Sequence, residues 1–287
     1  MRRLKLISLL TCFLFLFSFT TTVFASEGDS KTKSVTVNEY EMLQSLSKNS
    51  TEQLAKLGYS SAEAKQIENY QEEYKNHLKK IAALDDELLK EMGYTSEQIE
   101  ILRTYDGSEE ATIILAATLN ISVTAGSVTY YTSKNYTDAS VSYSFSWSGE
   151  PLFKGTDIVG IAWNDWDLRS SSGKVTYRFV GGGATKTETP TLKNPTGPRS
   201  YGRGHTFPLR REYNITKDVY IAKSGTGSFN LRHSGGAKNL SVYAAYGHAT
   251  ISVSPSIDIK GIGSITFSKG INTVDEDWAD RSYTTRP

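Results

Sequence analysis

Two stretches of the chain hold residues whose types and spacing suit chemistry. The densest is Trp163-Asn164-Asp165-Trp166-Asp167. Asn164, Asp165 and Asp167, followed by serines at 170–172, offer the hard oxygen ligands that Ca2+ takes, although their spacing is not that of a twelve-residue EF-hand loop. An exposed Trp166 would instead stack on a sugar ring while the carboxylates accept from its hydroxyls. A plainer account is also open: Ile161 and Trp163 share one face of a strand and pack in a core, and 165–167 lead into a turn ended by Gly173. The second stretch is 193–211, where Lys193, Arg199, Arg203, Arg210 and Arg211 occur without one acid. Tyr201, His205 and Phe207 are interleaved. Pro195, Gly197, Pro198, Gly202, Gly204 and Pro208 predict an irregular loop. Arginines among aromatics bind phosphate polymers and other anions, so this loop is the first candidate site. Its plainer reading is a solvated loop, or one docked against acidic residues elsewhere in the chain.

Signatures of catalysis are missing. There is no Gly-x-Ser-x-Gly elbow, no His-Glu-x-x-His, no Walker loop and no dinucleotide fingerprint. The four histidines are too far apart for a ligand-spacing argument. An enzyme is therefore the less favoured expectation, and no catalytic residue or obligatory cofactor is assigned. A hydrolase of wall or polysaccharide would have to use Asp165 or Asp167 in a carboxylate pair.

Residues 1–25 have the form of a secretory signal: Arg2, Arg3 and Lys5, an apolar run over 6–19, then Val23-Phe24-Ala25 with small residues at −3 and −1. Cleavage is expected after Ala25. The only cysteine, Cys12, lies in that segment. The expected mature product therefore lacks a disulfide, a thiolate metal site and a cysteine nucleophile. A disulfide-free exported protein fits a Gram-positive bacterium, secreted or loosely wall-associated, better than an oxidising eukaryotic pathway. Without Arg2, Arg3 and Lys5, the 32 Lys+Arg fall to 29 against 31 Asp+Glu. That near balance excludes a whole-chain polyelectrolyte logic.

The elements that must position these residues fall into two halves. Residues 26–118 hold 10 basic and 18 acidic residues; 119–287 hold 19 basic and 13 acidic. The first half is rich in helix formers, the second in Ser, Thr, Val, Tyr and Gly. A flexible leader is expected over 26–34 and helices over 35–118. Leu54-x-x-Leu57-Gly58-Tyr59-Ser60 recurs as Leu89-x-x-Met92-Gly93-Tyr94-Thr95. In each copy the Gly ends a helix in the left-handed conformation, and Ser60 or Thr95 caps the next one. Glu63 and Gln98, three residues on, complete capping boxes. Two helix-turn-helix units follow.

The turn Met92-Gly93-Tyr94-Thr95 resembles the Met-Gly-Phe/Tyr loop of ubiquitin-associated domains. Capping chemistry alone accounts for it, and an exported bacterial chain meets no ubiquitin. The Leu-Gly-Tyr-Ser/Thr hairpins also resemble those of uncharacterised exported Gram-positive proteins.

From 119 the period is two. Over 140–148, serines alternate with Val141, Tyr143, Phe145 and Trp147, the pattern of a half-buried antiparallel strand. Further strands are expected over 121–131, 157–165, 174–180, 218–223, 228–232, 240–253 and 261–268. The fold class is α+β: helical hairpins followed by an antiparallel, jelly-roll-like β-sandwich over 119–287. The acidic residues Asp275, Glu276, Asp277 and Asp280 read as a solvated tail. The function expected from all this is non-enzymatic binding of an envelope polyanion or glycan through the β half. Intracellular nucleic acid is not an expected partner. A membrane-active toxin or bacteriocin-like effector is the first alternative, since a Ser/aromatic strand can pair into a membrane hairpin; the hydrolase is the second.

Overall fold

The computed structural model describes residues 32–195, 201–213, 215–236, 239–250, 255–261, 264–268, 271–282 and 284–286. The expected signal segment and Arg199 lie outside the described residues. The described residues combine seven α-helices with antiparallel sheets, about 48% strand, none of it closed into a barrel. Strand pairing therefore sets the architecture.

Residues 26–31 of the expected leader lie outside the described residues, and the first described element is a strand where the end of the leader and the start of the helices are expected. Thr32–Asn38 forms a strand, β1, paired antiparallel with β2 (Thr118–Tyr131) from Thr32↔Thr124 to Asn38↔Thr118. Val35 and Val37 pack half-buried against the core, which gives this short alternation its hold. The helices are thus an excursion between two neighbouring strands. Its neck is closed by Glu39 N–H donating to the Ala117 carbonyl, 2.9 Å.

Within the excursion run α1 (Glu39–Ser47), α2 (Thr51–Lys56), α3 (Ser61–Glu68), α4 (Tyr70–Ile81), α5 (Asp86–Glu91), α6 (Ser96–Arg103) and α7 (Glu109–Leu115). Both predicted capping boxes are present, at Ser60/Glu63 and Thr95/Gln98, and Gly58 and Gly93 take φ of 101° and 94°. The apolar series Ile67, Tyr70, Tyr74, Leu78, Ile81 is buried as expected, but Asn69 divides it between α3 and α4.

The β half contains β3 (Tyr136–Ser148), β4 (Thr156–Trp163), β5 (Asp167–Phe179), β6 (Thr185–Glu188), β7 (Thr191–Lys193), β8 (Gly202–Pro208), β9 (Arg210–Glu212), β10 (Val219–Ser234), β11 (Asn239–Ala249), β12 (Ile257–Gly261), β13 (Ser264–Phe267), β14 (Ile271–Ser282) and β15 (Thr284–Arg286). The larger sheet runs β1-β2-β3-β10-β5-β6, with β9 beside β10 and β15 beside β2. The smaller runs β14-β11-β4-β8-β7. Among the described residues every pairing is antiparallel except β15 with β2. The acidic stretch expected as a tail is strand backbone in β14, paired along β11.

One core joins the two sheets. Phe145 of β3 stacks on Phe207 of β8 with ring centres 4.6 Å apart. The smaller sheet is covered a second time, where Ile257, Ile259 and Ile265 of the β12–β13 hairpin pack on Ile158, Ala162 and Tyr243. The larger sheet keeps one face in water. Its strands therefore alternate buried and exposed, as β3 does over its whole length.

Candidate functional site

The basic stretch 193–211 is not one loop. Lys193 closes β7, Arg203 and His205 lie on β8, and Arg210 and Arg211 lie on β9. His205 is 2% exposed. It bonds the Tyr143 hydroxyl through Nδ1 at 2.8 Å and stacks on Phe229 at 4.9 Å. Burial pushes its pKa down to about 4, so it is a neutral core ring at pH 7 and cannot serve as a cation for an anionic ligand. Arg211 pairs with Glu188 at 3.0 Å, and Arg203 donates to the Gly202 carbonyl at 2.6 Å. Tyr201 is half-buried and its carbonyl accepts from Trp163 N–H. Strand geometry places the described members other than Tyr201 on three strands, with His205 in the core and Arg211 in a local ion pair.

The constellation at 163–167 is also largely structural. Trp166 is 3% exposed, which corrects the sugar-stacking reading, and its carbonyl accepts from Trp163 Nε1 at 2.9 Å. Asn164 ties β4 to β11: its Oδ1 accepts from Ser241 N–H at 2.9 Å and its Nδ2 donates to the Asn239 carbonyl. Asp165 and Asp167 face solvent. Among the described residues no group of three or more His, Cys, Asp or Glu side chains is placed to hold a metal ion.

The free face of the larger sheet is different. Its register aligns outward residues of neighbouring strands into rungs. The first rung is Thr36, Asn120, Ser146, Ser224, Thr176 and Thr187, from β1 across to β6. The second is Ser34, Ser122, Ser144, Thr226 and Lys174. The third is Thr32, Thr124, Ser142, Ser228 and Ser172. The fourth is Ser140, Asn230 and Ser170. Every one of these is exposed or half-exposed, and Lys174 alone is charged. With strands about 4.8 Å apart and alternate residues about 6.8 Å apart, the four rungs cover a patch about 20 Å on each side.

Neighbouring side chains order one another. Thr36 donates to Asn120 Oδ1 at 2.6 Å and Asn230 to Ser170 Oγ at 2.9 Å. Hydroxyls meet at 2.8 Å in Ser122–Ser144 and at 2.9 Å in Ser172–Ser228. Beyond the fourth rung the chemistry changes. Arg232 holds Asp138 by two bonds of 2.7 and 3.0 Å, and its guanidinium lies 3.7 Å from the Tyr136 ring centre. Those charges are satisfied by each other and close that edge of the patch. Alternation exposed the serine row of β3 in the sequence; the pairing of β1, β10 and β5 with it was not readable there.

A second polar cluster is sealed between the helices and the sheets. His248 Nδ1 lies 3.0 Å from Asp157 Oδ2, and Nε2 lies 3.2 Å from Glu39 Oε1, all three side chains with no exposure. Tyr74 donates to Glu39 and Tyr246 to Asp157. Leu152 and Phe153 N–H groups also donate to Glu39, and Ala249 N–H to Asp157. Burial would lower the His248 pKa, but Asp157 and then Glu39 outweigh it and carry it up to about 10. The cluster joins two bodies of structure and is closed to any substrate.

No family model matches the chain, and no curated protein does. Among solved structures, AvmM, which catalyses macrocyclization in alchivemycin A biosynthesis, is similar over 58% of this chain and 90% of its own, with 16% identity and a TM-score of 0.27. The KRT10-binding region domain of the pneumococcal serine rich repeat protein PsrP is similar over 53% and 88%, with 14% identity and 0.24. The Clostridium perfringens NetB toxin in its membrane-inserted form gives 58% and 89%, 7% and 0.20. Scores this low carry no argument about this chain. Fold and site together define only a class: a β-rich chain with inserted helices and a hydroxyl-lined sheet face. Among the described residues no helix is long and apolar enough to cross a membrane.

Proposed function

We propose that the two sheets form a jelly-roll-like β-sandwich that, exported from a Gram-positive cell, binds an envelope glycan without catalysis. The observation that carries this reading is the four-rung hydroxyl face. A sugar polymer offers the same groups in return, hydroxyl donors and acceptors at short repeats. A soluble surface is ordinarily about a quarter or more charged, whereas Lys174 is the one charged residue among the rungs, with exposed Lys223 and Arg169 only at the register shifts beside the first and fourth, so a polyanion finds little to hold across the middle of the patch. The glycan reading is therefore favoured over the polyanion reading. The aromatic side of β3 is committed to the core, so the membrane-hairpin alternative would first have to open the fold.

The test is retention on purified cell-wall polysaccharide. Wild type is expected to stay bound at about 0.5 M salt, where exposed charge interactions are screened. The Ser122→Ala/Ser144→Ala/Thr226→Ala triple variant is expected to elute, and Arg203→Ala/Arg210→Ala to behave as wild type. Elution by salt together with sensitivity to the arginine variant would reverse the choice in favour of a polyanion.

A further inference from the structure

We infer that the hydroxyl face takes the middle of a long, uncharged polysaccharide chain and has little affinity for a single sugar or a chain end. This rests on the glycan reading above and goes beyond it by fixing the class of ligand.

The face is an open array of parallel rungs with no enclosed end. A site for one sugar residue needs a concave wall and a few convergent polar groups around it. The two hollows on this face, about 560 and 400 Å³, are open-sided and lined by strand residues from successive rungs, Ser34 and Ser146 in one, Ser142 and Lys174 in the other. Within the four rungs no aromatic side chain points outward. A ring has no partner to stack on, and each contact is a neutral hydroxyl or amide bond exchanged with water, which contributes little net. A monosaccharide reaching three or four such groups cannot offset the fixed cost of association. A polymer meets that cost once and then adds contacts rung by rung.

The charge pattern sets the other half of the class. Lys174 is the one cation among the rungs; exposed Lys223 and Arg169 stand at the register shifts beside the first and fourth rungs, and at the far edge Asp167 neighbours the Arg232–Asp138 pair. A uronate or phosphate on every repeat would meet no partner across most of the patch. A second copy of this chain is a poorer occupant, because the face offers no outward apolar side chain whose burial would drive pairing.

The experiment uses the full chain and the wall polysaccharide retained in the test above, cut by partial acid hydrolysis and separated by size and charge. Competition by neutral fragments is expected to strengthen steeply with length, by about tenfold or more from the shortest to those that span about 20 Å, and then to level off. Thr36→Ala on the first rung and Ser170→Ala on the fourth are each expected to weaken long-fragment binding a few-fold. Combined, their effects should multiply, because one polymer touches both. Short fragments competing as well as long ones, or loss confined to one of the two variants, would overturn this inference and leave the glycan reading standing. Failure of the intact polymer to bind, or competition by acidic fragments alone, would overturn the glycan reading itself. Concentration-dependent dimerisation lost in both variants would assign the face to a second copy and overturn both.

Discussion

Gly225 and Gly227 of β10 show how single residues keep the hydroxyl face close to the core. Both point inward, beneath the exposed Thr226. A Cβ at Gly225 would come 2.3 Å from the Phe145 ring, and one at Gly227 2.2 Å from the Tyr143 ring. Both rings are buried and held by Phe207 and His205 neighbours, so neither can yield freely. Gly225→Ala and Gly227→Ala are each expected to destabilise by about 1–3 kcal/mol through overpacking. Thr226→Ala, one residue away and outward, should stay within about 0.5 kcal/mol. Urea midpoints at unchanged slope decide this; equal effects at all three positions would contradict the assigned facing. His205 supplies a second test at this scale. With its pKa lowered to about 4, the folded ring binds its proton later than the unfolded ring at 6.5. Its contribution therefore turns against the fold as pH drops from 6.5 toward 4. Its ring nitrogens should keep neutral-imidazole NMR shifts down to about pH 5; titration near 6.5 would return it to the set of cationic candidates.

At the scale of elements, the docking of the helices includes one buried ion cluster. His248→Gln leaves Glu39 and Asp157 facing each other without a cation, and is expected to cost about 3–5 kcal/mol. Glu39→Gln added to it should cost less than the sum of the two single changes, because the repulsion it would relieve is already present. The pH dependence has a defined sign. The raised His248 pKa gives stability that is complete below pH 6.5 and is lost as pH climbs toward about 10. Burial pushes the Glu39 carboxyl up, but the His248 bond and charge and the Leu152 and Phe153 amides bring it below its usual 4.5. Its contribution is present above 4.5 and disappears as pH falls below that. Denaturant melts across pH should show the alkaline decline in wild type and not in His248→Gln. What was legible in the sequence follows from the same geometry. Capping boxes at Ser60 and Thr95 join residues three apart, and the serine row of β3 repeats every two, so both could be read locally. Glu39 and His248 are 209 residues apart, and the rungs depend on register among five or six strands. Pattern along one segment carries neither. The stretch 193–211 misled because its described prolines and glycines, signs of a loop, occur here just past a strand end, as Pro195, at one, as Pro208, and at close approaches such as Gly202 against Ile161.

For the whole molecule, the topology argues that the helical and β portions unfold together. The helices leave the larger sheet at Asn38 and return at Thr118, residues paired with each other in the β1–β2 ladder. The helical core and the sheet core are separate clusters, and that alone would allow two transitions. Their seam does not: Tyr74 of α4 donates to Glu39 and accepts from Ala117 N–H, while Glu39 holds His248 of β11. Ser148 at the end of β3 donates to the Gly93 carbonyl in the second helical turn, and Gly149 N–H to that of Met92. Melting the helices first would leave Asp157 and His248 opened to water at the sheet surface. Melting the sheets first would strip Glu39 of its buried cation. Each portion therefore loses stability when the other goes. Scanning calorimetry near neutral pH is expected to give one peak whose calorimetric and van't Hoff enthalpies agree. In His248→Gln, where the seam is broken electrostatically, the peak should broaden or divide. Two well-separated peaks already present in wild type would show that the seam couples nothing and that the helices are an independent arm.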